Sequence, residues 1–91
     1  MRYLSTSQYE ITYNFYMKNY CYILKELRLA QDMTQAEIAA VLSVKQNTYA
    51  QYETGQRQIS IDVLTKLAEY YDVPTDYILG LTDIDTPYRK I

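Results

Sequence analysis

Histidine and tryptophan are absent from this chain, cysteine occurs once, and glycine and proline occur twice each. With no histidine and only Cys21, neither a zinc site of the usual ligand types nor an intrachain disulfide can be assembled. Cys21 therefore reads as an ordinary packed residue of a reducing compartment. No positively charged start leads into an apolar run, and no stretch approaches the roughly 18 uninterrupted apolar residues that a membrane helix needs. The expectation is a soluble, cytoplasmic protein without a membrane partner or a cofactor. Catalysis is equally unprovided for: carboxylates are scattered along helix faces and no nucleophile can be paired with a base, so an enzyme is not expected. Internal repeats and low-complexity tracts are missing too.

What remains is 91 residues, 48% of them hydrophobic, enough for one domain around a single core. A net charge of −2 argues against a nucleic-acid partner when taken over the whole chain, because Lys and Arg supply most non-specific affinity for phosphate. The distribution argues differently. Between Ile38 and Ile61 the charged residues are Lys45, Glu53 and Arg57, whereas from Asp62 to Tyr88 the acids Asp62, Glu69, Asp72, Asp76, Asp83 and Asp85 face only Lys66. The middle of the chain is mildly basic and the acidity follows it.

The stretch from Thr34 to Thr54 organises the rest and reads as helix, tight turn, helix. Thr34 followed three residues later by Glu37 is a capping box, which fixes a helix start. Ile38, Val41 and Leu42 supply an apolar stripe, and Ala39 leaves room for close approach by a neighbouring backbone. Ser43 and Val44 interrupt the pattern. Periodicity resumes at Gln46: at about 100° per residue, Thr48, Tyr49 and Tyr52 share one arc and Gln46, Asn47, Ala50, Gln51 and Thr54 the other. Amides on an exposed helix face are often no more than solvated residues. Gln and Asn can also pair bidentately with adenine N6 and N7, and Ala or Thr methyls can meet the thymine methyl, so this arc suits a major groove.

Flanking helices complete an all-α reading. A first helix is expected from Asn19, as N-cap, to about Gln31, with Tyr20, Ile23, Leu24 and Leu27 inward. Gly55 closes the helix that carries the amides. Ser60 caps a fourth helix with Leu64, Leu67, Ala68 and Tyr71 as its core stripe, Val73-Pro74 breaks the chain, and Tyr77 to Leu79 form a short fifth helix stopped by Gly80. The expected organisation is an arm over residues 1–18, a helical domain over 19–81 and a polar tail over 82–91.

Leu24 to Arg28, Thr34-Gln35, Ile38-Ala39, Leu42, Val44, Tyr52-Glu53 and Gly55 together resemble the Cro/CI-type helix-turn-helix family of phage and bacterial repressors, a likeness extending over about residues 20–80. The resemblance implies a five-helix DNA-binding domain acting as a homodimer on double-stranded DNA, its third helix in the major groove. It assigns base contacts to Gln46, Asn47 and Gln51, and phosphate contacts to Gln35, Lys45, Arg57 and Gln58. It also implies a structural ion pair between Arg28 and Glu53. Three positions depart from the family pattern. Ser43 stands where the turn usually has glycine, Lys45 where helix 3 usually has a capping Ser or Thr, and Ile59 where proline commonly precedes helix 4. The resulting function is that of a transcriptional regulator, most simply a repressor that occupies its operator.

Residues 1–18 lie outside the resemblance. Tyr9, Ile11, Tyr13, Phe15 and Met17 alternate with polar neighbours as in a strand, while Tyr9, Tyr13, Tyr16 and Tyr20 also fit a helix. The strand is favoured, and two such arms pairing across a two-fold axis would make Tyr9, Ile11, Tyr13, Phe15 and Met17 a dimerisation surface. A competing function follows from the same tyrosines: a protein-interaction module, such as an antitoxin or anti-repressor, that grips a protein partner with the arm.

Overall fold

The computed structural model describes residues 20–86, and the described residues form an all-helical domain. Helix α1 runs over residues 20–30, followed by α2 (Gln35–Leu42), α3 (Gln46–Thr54), α4 (Ile61–Tyr71) and α5 (Thr75–Ile78). The N-terminal strand expected at residues 8–17, its dimerisation residues and the Asn19 cap fall outside the described residues. None of the described helices is long and apolar enough to cross a membrane.

Local chemistry sets most of the helix starts. At α2, Thr34 Oγ1 accepts from Glu37 N at 3.1 Å and Glu37 Oε1 accepts from Thr34 N at 2.9 Å, completing the capping box. At α4, Ser60 Oγ accepts from Val63 N at 3.1 Å, with Asp62 in the first turn. Helix α3 starts without such help, because Lys45 occupies its N-cap and makes no side-chain cap bond.

The helix ends share one device. Asp32, Ser43 and Asp72 all adopt the left-handed conformation, with φ of 54°, 58° and 57°. In each case the following residue reaches back five positions: Met33 N to Arg28 O, Val44 N to Ala39 O and Val73 N to Ala68 O, at 3.1, 3.0 and 3.0 Å. This is the Schellman closure, and the apolar residues Met33, Val44 and Val73 pack against the core as each motif requires. Glycine takes the left-handed position at Gly55, with φ 80°, and at Gly80, with φ 78°.

The core joins Tyr20 and Leu24 of α1, Ile38, Ala39 and Leu42 of α2, Tyr49 and Tyr52 of α3, Val63, Leu67, Ala68 and Tyr71 of α4, and Ile78 of α5. Two details differ from the periodic reading. Val41 is 41% exposed, since Ala39 takes the inward place beside Ile38 and Leu42; Leu64 is only half-buried, and Val63 is the buried residue of that turn. In both helices the buried arc is rotated by about a residue from the most hydrophobic spacing, because the neighbouring helices and not the stripe alone set the contact line.

Ser43 stores strain, because a residue with a Cβ is disfavoured in the left-handed region. Ser43→Gly is expected to stabilise the domain by about 1 kcal/mol, raising Tm by roughly 4–8 °C in a thermal melt. A melt unchanged or lowered would show that the serine is not strained.

Candidate nucleic-acid interface

Helix α3 lies with one face in the core and the other in solvent. Tyr49 is fully buried and Tyr52 nearly so, their rings edge-to-face at 6.2 Å. On the opposite arc Gln46, Asn47 and Thr54 are exposed, while Ala50 and Gln51 are half-buried. Lys45 before the helix and Arg57 and Gln58 after it are exposed as well. Four amides and two cations are thus exposed or half-buried on α3 and its flanks.

The acid of this helix faces the other way. Glu53 and Arg28 meet at 2.7 Å between Oε2 and Nε, with side chains 4% and 10% exposed respectively. Arg28 Nη2 also donates to Glu53 Oε1 at 3.1 Å, making the pair bidentate. Two further donors complete the carboxylate: Tyr49 Oη at 2.5 Å and Gln35 Nε2 at 3.2 Å. Arg28 Nη1 meanwhile donates to the Met33 carbonyl at 2.9 Å, which holds the turn after α1. One buried carboxylate therefore ties α1, the start of α2 and α3 together.

The charges respond accordingly. Burial works to raise the Glu53 carboxyl, but hydrogen bonds from Arg28, Tyr49 and Gln35 outweigh it and hold the group below the usual carboxylate range. The hydrogen bond to Glu53 in turn pushes the Arg28 guanidinium up, and burial together with the Glu53 contact raises the Tyr49 hydroxyl. Behind this cluster Tyr71 is pushed up to about 12, chiefly by burial, and its hydroxyl has no partner among the described residues. Burial also raises the Cys21 thiol, whose Sγ would sit 3.6 Å from a Cβ added at Gly55. A raised pKa makes Cys21 less reactive than a free thiol.

Gln35, assigned to phosphate by the resemblance, is half-buried and directs its amide nitrogen at Glu53. An amide nitrogen carries two hydrogens, so this bond orients the group and leaves one donor. The sequence reading did not find this link. Nor did it find that Arg57 Nε donates to Gln51 Oε1 at 3.0 Å, which joins a residue assigned to phosphate with one assigned to bases. For the Arg57 bond the sequence signal is a turn at Gly55 short enough to fold Arg57 back; the Gln35 link carries no such signal.

Residues 24–78 match the helix-turn-helix family, and the chain belongs to it. It is 40% identical over 68 residues to the uncharacterized HTH-type transcriptional regulator YobD of Bacillus subtilis (strain 168), covering 75% of this chain and 61% of that protein. It is 39% identical to the HTH-type transcriptional regulator ImmR of the same organism, over 67% of this chain and 48% of ImmR. Against the cryptic phage CTXphi transcriptional repressor RstR of Vibrio cholerae it is 37% identical, over 56% of this chain and 46% of RstR. The matched stretch thus spans about half to three-fifths of the length of these relatives. No solved structure matches the chain.

Two outcomes follow from the Glu53 cluster. Arg28→Met or Glu53→Gln alone is expected to cost about 3 kcal/mol or more, because each strands a buried partner, and the double variant should cost less than the sum. Additive losses in a denaturation cycle would mean that the two charges are not coupled. With the Glu53 pKa held low, its stabilising contribution is present above the ordinary carboxylate range and is lost as pH falls through the folded value. Acid titration of Tm should therefore show a steeper fall below the ordinary carboxylate range in the wild type than in Glu53→Gln. Parallel curves would assign acid denaturation to other carboxylates.

Proposed function

We propose that this chain is a sequence-specific, double-stranded-DNA-binding transcriptional regulator, a repressor acting by operator occupancy. The observation that carries the reading is the sorting of α3: its amides Gln46, Asn47 and Gln51 face outward between the exposed cations Lys45 and Arg57, while its one acid, Glu53, is buried against Arg28. An outward helix face of amides flanked by cations, to which α3 itself contributes no carboxylate, suits the major groove and its flanking phosphates. Gln46, Asn47 and Gln51 read base edges; Gln35, Lys45, Arg57 and Gln58 position the backbone. Membership of the helix-turn-helix family, and relatives named as transcriptional regulators and a phage repressor, support the same reading. The protein works in the cytoplasm, without chemistry of its own.

The functional unit in this reading is a homodimer whose α3 helices enter successive major grooves about 34 Å apart. The tyrosine-rich arm, with Tyr9, Ile11, Tyr13, Phe15 and Met17, supplies the dimer contact. Deleting residues 1–17 should then yield a monomer in sedimentation with weakened operator affinity. A truncated chain that stays dimeric and binds undiminished would free the arm of that role.

Selection of bound duplexes from a random pool tests the base-reading assignment. Gln46→Ala should relax the preference at one position per half-site, by about 1–3 kcal/mol. An unchanged preference would remove Gln46 from the reading set.

A further inference from the structure

We propose that Arg57 sets the base preference of Gln51 by fixing which end of its amide faces the DNA. The inference rests on the DNA reading above. Gln51 sits on the outward arc of α3, and the chain doubles back after Gly55, where φ is 80°. That reversal returns Arg57 to Gln51 at two levels: Arg57 N donates to the Gln51 carbonyl at 3.2 Å, and Arg57 Nε donates to Gln51 Oε1 at 3.0 Å. Thr54 Oγ1 donates to the same main-chain carbonyl at 3.2 Å, so the turn itself is held.

A free glutamine presents an acceptor and a donor with equal ease, which is what adenine N6 and N7 require. Gln51 is not free in that sense. Its side-chain oxygen accepts from a guanidinium, a charge-assisted bond, and rotating the amide by half a turn would set N–H against N–H. The amide nitrogen donates to nothing among the described residues and is the group left for the groove. With one of its two lone pairs taken by Arg57 and a guanidinium beside the other, the oxygen is a poor partner for the adenine N6 amino group, whereas the free donor matches thymine O4 or guanine N7 and O6. Gln51 thus departs from the adenine-directed role that amides at this helix face suggest, whereas Gln46 and Asn47 make no such bond among the described residues. Arg57 has no carboxylate partner among the described residues, and its terminal nitrogens keep their donors for phosphate. It is a positioning residue for Gln51 as well as a backbone contact.

The test uses the full chain as wild type, Arg57→Ala, Gln51→Ala and the double variant, each titrated against duplexes varied one base pair at a time. The position that loses its preference in Gln51→Ala identifies the base it faces. At that position the wild type should favour thymine or guanine over adenine by about tenfold, and Arg57→Ala should move the preference toward adenine by a similar factor. Other positions should keep their order, with overall affinity lowered alike. In the Gln51→Ala background, Arg57→Ala should lower all duplexes uniformly. A purely structural or purely electrostatic role for Arg57 moves no single position. An adenine preference in the wild type, an unchanged order in Arg57→Ala, or no position lost in Gln51→Ala overturns the inference alone, provided other positions still discriminate. If no position discriminates for any variant, the DNA reading falls and this inference with it.

Discussion

The Glu53 carboxylate is the point on which the arrangement turns. It lies almost wholly out of water and accepts four hydrogen bonds, two from Arg28 and one each from Tyr49 and Gln35. A buried ion is expensive to desolvate, and a bidentate guanidinium with every remaining lone pair engaged is the condition under which it persists. Such a pair contributes less to net stability than to definition. Arg28 comes from α1, Gln35 from the first residue of α2, and Glu53 from the last turn of α3, so the orientation of α3 is set by groups that tolerate little displacement. Burying the acid also clears the outward face of α3 of negative charge.

Other constraints act on the two ends of α3. Its start follows the Ser43 turn, where a non-glycine residue holds φ 58°, and lacks a side-chain cap at Lys45. Its end is the Gly55 turn, which returns the chain onto Gln51 through Arg57. The N-terminus is therefore the weaker end: about 1 kcal/mol of capping is forgone there, and the backbone N–H groups it leaves open are suited to phosphate. On the exposed side of α4, Asp62 pairs with Lys66 at 3.4 Å.

Much of this was legible in the sequence wherever local chemistry decides the outcome. Thr34 with Glu37, Ser60 and Gly55 each state a helix boundary through the groups that a helix end leaves unsatisfied, and those boundaries stand. The likeness to the helix-turn-helix family named Arg28 and Glu53, which the structure sets 2.7 Å apart. What escaped was tertiary. Asp32 and Asp72 carry no glycine signal, yet both close helices in the left-handed region because Met33 and Val73 are drawn into the core. Val41 belongs to the periodic stripe and still faces solvent, since the smaller Ala39 permits the close approach that turns the helix. The resemblance assigns Gln35 and Arg57 to phosphate by position, which carries no sign that Gln35 also donates to the buried Glu53 carboxylate or that Arg57 donates to Gln51.

In the proposed function, duplex DNA docks on the outward face of α3. Amide NMR of the isotope-labelled full chain, titrated with a duplex recovered by selection, tests it most directly. Shifts concentrated on the backbone and side-chain amides of Gln46, Asn47 and Gln51, with lesser changes at Gln35, Lys45 and Arg57, are the predicted result. A footprint centred on α4 and α5, with α3 unmoved, would contradict it.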